Sequence, residues 1–462
     1  MDSIINDSGF QEALKQTAKD HKLDLKKVQK EAAEYIKELR ARQHPLTKIA
    51  SVKSFDYILS RAYNEKIDVD PKGIKKLMQL MRMNSVAFIM THKTYLDTLV
   101  LISTLSRFGM PVPYSFGGIN LAFPGLKQLG NSAGLIFIRR SFKDNPVYKI
   151  ALRHYIASII DHGDHLTWNI EGTRSRTGKI LHPQMGILKY IMDAVVVPQF
   201  GDDSYKNKDT LPYFAFDVIN QMAQITPVST VSLICNVLLN DFALTKKEIE
   251  FKVKKLMAYV GKKQADSLID RGNPIAVSVQ KALNLLQGAD IVQKSRAGQK
   301  AQYSIISTEY LVATYYANMA AGHFYHSAFV EMALVKIKDD TSSERIVHFW
   351  EEIMRLRNLF KFEFFYTNKA KFSTEIEEEL QRFDKNWREI LADPIRDVAE
   401  ILKKQDLFIS RALLLSYIEA DKVVCHTLNN WDEDDPFTEE DFLQLCMFKG
   451  KELHWQSKIT RL

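Results

Sequence analysis

The chain has 462 residues, 46% hydrophobic and 26% charged, and a net charge of +7. That is room for two or three domains with an ordinary globular composition. The mild basicity suits anionic partners such as phosphate esters, coenzyme A or an anionic membrane surface, and is too weak to point to nucleic acid. Three cysteines, Cys235, Cys425 and Cys446, show neither metal spacing nor a disulfide framework, which points to a reducing compartment. The first residues, MDSIINDSGFQEALK, lack the basic and apolar regions of a secretory signal. No run of about 18 apolar residues marks a spanning helix, and the final ITRL carries no lipidation or peroxisomal address.

In chain order, residues 9 to about 42 read as charged helix, with Leu14, Val28, Ala32, Tyr35, Ile36 and Leu39 recurring at spacings of three and four. HPLTKIASVKSFDYILSRAYN follows as a second helical segment opened by Pro45. These helices read as a bundle packed beside the main domain, with a basic amphipathic surface helix as the other reading. The period changes near residue 85. The short apolar runs SVAFIM, GLIFIRR, HLTWNI and AVVVP alternate with helical segments. This alternation predicts an α/β domain with a mixed, largely parallel sheet flanked by helices. Beyond about residue 215 the chain reads as helical again, with one hairpin at GADIVQKSRAGQKAQYSII. The expected division is a helical region over 1–78, the α/β domain over 79–215 and a mostly helical region over 216–462.

Three segments place polar residues after an apolar strand, and in open α/β sheets ligands bind outside the carboxyl ends of the strands. The first is MTHKTYLDTLVL, where His92 precedes a helix and Asp97 opens it. A neutral imidazole is a good general base near pH 7, and a carboxylate on its far nitrogen fixes the tautomer. The same residues admit another reading, a capping box between Thr94 and Asp97. No serine or cysteine nucleophile accompanies the histidine, which favours deprotonation of an external hydroxyl over a covalent intermediate. The second segment, GLIFIRRSF, ends a strand on Arg139 and Arg140, whose side chains would point to opposite faces. The third, NIEGTRSRTGK, places Glu171 and Gly172 after a strand and clusters Arg174, Arg176 and Lys179 with Ser175 in a tight loop. Guanidinium forks match phosphate oxygens; a solvated basic loop is the plainer reading. DHGDH, residues 161–165, reads as a helix end and a turn at Gly163, and no metal site is expected.

In this order and spacing the three segments resemble the glycerol-3-phosphate/dihydroxyacetone-phosphate acyltransferase family, in its bacterial, membrane-associated form. PVPYSFGGINLAFPGLKQLGNSAG also resembles the family, as do VINQMAQITPVSTVSLICNVLL, YLVATYYANMAAGHFYHSAFVEMAL and RLRNLFKFEFF further on. The resemblance implies that His92 takes the proton from the sn-1 hydroxyl of glycerol 3-phosphate, that Asp97 orients it, and that the oxygen attacks an acyl thioester. It ties Arg139, Arg140, Thr173, Arg174, Ser175 and Arg176 to the acceptor phosphate, with Glu171 and Gly172 shaping the loop. The implied donor is acyl-CoA or acyl carrier protein, with no cofactor and no metal. The implied setting is peripheral, on the cytoplasmic face of a membrane. LAFPGLKQLG, FYHSAFVEMAL and LFKFEFFY are the candidate attachment patches. The departures are Lys93 where the family has arginine, Thr91 where proline is common, and a shortened stretch after residue 200. Dihydroxyacetone phosphate as acceptor, and a non-catalytic lipid- or acyl-CoA-binding scaffold, stand as alternatives.

Overall fold

The computed structural model describes residues 2–41, 45–63, 67–118, 126–139, 145–200, 210–264, 272–297, 300–405, 408–431 and 438–460. The chain divides into two compact units, residues 1–174 with 181–216, and residues 175–180 with 217–462.

The first unit opens with helices Ser8–Asp20 and Leu25–Leu39. Periodicity alone suggested one continuous helix here. It breaks at a left-handed Lys22, and Asp24 caps the second helix by accepting the Lys27 N–H at 2.8 Å. The expected apolar face, Leu14 to Leu39, is buried. The helix expected from Pro45 spans Pro45–Ala62.

Strands β1 (Ala87–Met90), β2 (Tyr114–Gly118), β3 (Leu135–Ile138) and β4 (Leu166–Asn169) then form one sheet in the order β1-β4-β2-β3, every pairing parallel. Parallel neighbours need crossovers. These are the helices Asp97–Arg107, Leu126–Ser132 and Pro146–Asp161. The α/β domain with its parallel sheet and flanking helices is as the alternation predicts. AVVVP differs. It lies in the helix Met185–Phe200 and forms no strand. A short apolar run cannot be told from a buried helix by periodicity, and the helix begun at Met185 continues through it. The stretch after it, residues 201–209, lies outside the described residues.

The second unit is mostly helical around one large apolar core. The predicted hairpin is present as β6 (Val292–Ala297) and β7 (Lys300–Ile305), and β5 (Leu244–Thr245) pairs with β7. The segment FYHSAFVEMAL lies in the helix Ala321–Lys336, with Phe324, Tyr325, Phe329 and Leu334 buried. It is core and not an attachment patch. In LFKFEFFY, Phe360, Phe364 and Phe365 are buried and Phe362 is exposed. Residues 121–125 of LAFPGLKQLG lie outside the described residues, and the rest opens the helix Leu126–Ser132. No described helix is long and apolar enough to cross a membrane.

Candidate active site

The register pairs Met90 of β1 with Asn169 of β4, so the chains leaving these two strands run side by side. Asn169 Nδ2 donates to the Thr91 carbonyl at 2.8 Å. Two residues beyond Asn169, the Glu171 carboxylate is buried. Its Oε1 accepts the His92 N–H at 2.6 Å and its Oε2 accepts the Leu181 N–H at 2.8 Å. Burial raises the Glu171 pKa, while the two amides and the Lys93 ammonium favour its charge. Lys93 is itself pushed down to about 8 by burial, with Glu171 and Asp97 as its countercharges. Glu171 therefore fixes the backbone at the histidine from the strand next door.

His92 is half-buried, and the order of effects on its ring is clear. Desolvation lowers its pKa most, Asp97 raises it, Arg174 lowers it, and a hydrogen bond with the Thr173 backbone raises it. Nδ1 is buried with no partner among the described residues. The direct bond expected between Asp97 and the ring is absent from the hydrogen bonds of the described residues. Asp97 Oδ2 accepts the N–H groups of Lys93 and Thr94 at 2.8 and 2.9 Å, and Oδ1 accepts the Thr94 hydroxyl at 2.9 Å. Thr94 Oγ1 in turn accepts the Leu96 N–H at 3.0 Å. Asp97 thus accepts from Thr94 as one half of a capping box would, while the helix's N-cap, Leu96, makes no side-chain cap bond, and Asp97 acts on the imidazole through its charge. A carboxylate offers about four lone-pair sites. Three are used, so Oδ1 can still accept one donor.

Tyr95 is a residue that sequence reasoning missed. Its exposed ring stands edge-on to His92, with centroids 6.3 Å apart, and the Arg174 guanidinium lies 5.1 Å from its centroid. An aromatic between the motif's histidine and aspartate was the available signal. Arg174 is exposed and has no acidic partner among the described residues, so its fork is open to an anion. The cluster His92, Tyr95 and Arg174 thus holds a base of lowered pKa beside an uncommitted guanidinium.

The loop's turn depends on Gly172, at φ +68°. A Cβ there would lie 2.6 Å from Gln184 Cγ. Gly172→Ala is expected to cost about 1–2 kcal/mol for the left-handed backbone alone, with the clash added, and should appear as a lowered unfolding midpoint. Thr173 supplies its backbone to the His92 ring. From Ser175 to Ile180 the chain belongs to the second unit. There Ser175 is buried and its hydroxyl donates to the Lys179 carbonyl at 2.6 Å, which makes it a brace of the turn. Arg176 is exposed. Lys179 pairs with Glu363 and lies over the Tyr417 ring, with its pKa lowered to about 8 by burial. Asn318 Nδ2 donates to the Thr177 carbonyl at 2.9 Å. Gly178, at φ +81°, leaves no room for a Cβ, which would fall 1.9 Å from the Tyr315 oxygen.

Arg139 follows β3, the far edge of the sheet. Three strand spacings separate it from β1, roughly 14 Å. Its fork is occupied. Nε and Nη2 donate to Glu38 at 2.9 and 2.6 Å, and the guanidinium lies over the rings of Tyr35 and Tyr148. The structure thus places Arg139 as the tie between the sheet edge and the helix Leu25–Leu39. Arg140 lies outside the described residues. Residues 161–165 form the helix end and a left-handed turn at Gly163, with His165 Nδ1 accepting the Val86 N–H at 3.1 Å.

Two family models match the chain. The acyltransferase family model matches residues 74–204, and the model of the glycerol-3-phosphate acyltransferase C-terminal region matches residues 192–462, more than half of the chain. A protein of Mycobacterium tuberculosis (strain ATCC 25618 / H37Rv) bearing the name acyltransferase plsB1 is 27% identical over 528 aligned positions, covering 98% of this chain and 84% of that protein. Its counterpart in Mycobacterium bovis matches equally. The alignment is longer than the 462 residues here, so the relative carries stretches for which this chain has no residues. A dihydroxyacetone phosphate acyltransferase of Bos taurus is 28% identical over 198 residues, 41% of this chain and 28% of that protein.

Proposed function

The chain belongs to the glycerol-3-phosphate/dihydroxyacetone-phosphate acyltransferase family, and on that premise we propose that it moves a fatty acyl group from acyl-CoA, or from acyl carrier protein, to the sn-1 hydroxyl of glycerol 3-phosphate. The observation that carries this reading is the open Arg174 guanidinium beside His92, on a loop that Glu171 ties to the histidine's backbone.

In the proposed reaction Arg174 binds the acceptor phosphate bidentately, with Arg176 further along the same loop. The acceptor hydroxyl displaces the Thr173 backbone at the ring, the neutral imidazole carries its one proton on Nδ1, and the free Nε2 takes the hydroxyl proton as the oxygen attacks the thioester carbonyl. The Asp97 carboxylate stabilises the imidazolium through its charge. The tetrahedral intermediate collapses with cleavage of the C–S bond, and the leaving thiolate recovers the proton from Nε2. The products are an acyl ester and a free thiol, so the protein itself is never acylated. Dihydroxyacetone phosphate presents a hydroxyl and a phosphate of the same kind. It is the second candidate acceptor, supported by the match to the bovine protein. The acyl donor and the acyl ester are amphiphiles, which supports peripheral work at a bilayer surface.

Arg174→Ala should raise the KM for the phosphate acceptor about 10–100-fold, as loss of a charged hydrogen-bonding partner implies. The KM for acyl-CoA should change little, and Arg174→Lys should recover part of the loss. An unchanged acceptor KM would remove Arg174 from the phosphate site.

A further inference from the structure

The C-terminal helix Glu439–Trp455 is amphipathic twice over. Its inner face, with Gly450 and Leu453 buried, seats on the helix Ser410–Leu428, where Gly450 meets Val423. Its outer face carries Glu440, Leu443, Gln444, Met447, Phe448 and Lys451, spaced i, i+3, i+4, i+7, i+8 and i+11. All six are exposed, and together they line a shallow groove. Leu443, Met447 and Phe448 are 55%, 66% and 67% exposed, three large apolar side chains adjacent on one helix face.

The charges on this helix select the occupant. Glu439, Glu440 and Asp441 stand at one end of the stripe, and Lys449 and Lys451 at the other. With Glu452 the helix holds four acids against two lysines, which disfavours an anionic bilayer. A second identical helix laid antiparallel is complementary in charge at both ends of the stripe and apolar between Leu443 and Phe448. A two-fold axis passing between residues 445 and 446 sets Glu440 against Lys451, Leu443 against Phe448 and Gln444 against Met447, each pair occurring twice. This is the self-complementarity that an isologous interface requires. We propose that this face is an interface between two copies of the chain, formed by antiparallel pairing of their C-terminal helices. The helix is about 25 Å long, so the contact lies at the small end of specific interfaces. The dimer should be weak, with Kd on the order of 10–100 µM.

Sedimentation equilibrium of the full chain from 1 to 200 µM tests this. The wild-type mass should rise from monomer toward dimer. Phe448→Glu should raise Kd at least about tenfold, as should Glu440→Lys and Lys451→Glu singly. The double variant Glu440→Lys/Lys451→Glu should restore the dimer, because it rebuilds both ion pairs in reverse. Circular dichroism shows whether each variant folds, and restoration by the double variant cannot arise from misfolding. A monomer at every concentration, or a dimer indifferent to Phe448→Glu, would overturn the proposal. So would a double variant no better than the singles. Binding of monomeric wild type to phosphatidylcholine–phosphatidylglycerol vesicles, abolished by Phe448→Glu, would assign the face to a membrane instead.

Discussion

His92→Ala is expected to lower kcat/KM by roughly two to four orders of magnitude, the usual loss when a general base is removed. Lys93, the next residue in sequence, is committed to the charges of Glu171 and Asp97. The pH profile gives a second, independent expectation. Desolvation chiefly holds the His92 pKa below the ordinary imidazole value of 6.5, and Arg174 adds to the depression. A lowered pKa keeps the ring neutral, and so basic, to lower pH. The acid limb of kcat/KM should therefore fall below 6.5. Arg174→Ala removes a depressing charge and should move the limb upward, whereas Asp97→Asn removes a raising one and should move it downward. A limb that ignores both substitutions would show that the titrating group is not His92.

Glu171→Gln is expected to destabilise the first unit by about 2–4 kcal/mol and to reduce turnover about 10–100-fold. The carboxylate accepts two backbone N–H groups with its two oxygens. The amide of glutamine has one oxygen, so its NH2 must face one of those donors. A buried N–H left unpaired costs about 1–3 kcal/mol. Lys93 would also lose the larger of its two countercharges, which adds the cost of a poorly compensated buried cation. The rate should fall because the residue sets the backbone at His92, and small misplacements of a catalytic group are costly. Hydrogen exchange at the His92 and Leu181 amides, with the denaturant midpoint, measures the first effect. Unchanged protection of both amides would contradict it.

Much of this arrangement was legible in the sequence. The strand–helix alternation after residue 85 fixes three of the four strands, because SVAFIM, GLIFIRR and HLTWNI are short, apolar and bounded by polar turns. The fourth, Tyr114–Gly118, escaped because YSFGG has two glycines and little apolar signal. AVVVP misled for the opposite reason, since a β-branched run resembles a strand even inside a helix. The Thr94–Asp97 spacing served two readings, and only the folded chain shows that the carboxylate is spent on Lys93 and Thr94. Arg139 at a strand end and Arg174 in the basic loop both read as phosphate contacts. Their difference is tertiary: Glu38, 101 residues away in sequence, occupies one fork and leaves the other open. Spacing along a chain does not reveal such a partner.

The central claim is acyl transfer to a phosphate-bearing hydroxyl acceptor. Its most direct test is turnover by the purified full chain in mixed micelles with a long-chain acyl-CoA, offering glycerol 3-phosphate and dihydroxyacetone phosphate separately. The account predicts release of free CoA that depends on the acceptor, is faster with glycerol 3-phosphate, and forms the 1-acyl ester. Folded protein that binds acyl-CoA yet turns over neither acceptor would contradict it and leave a binding scaffold in place of an enzyme.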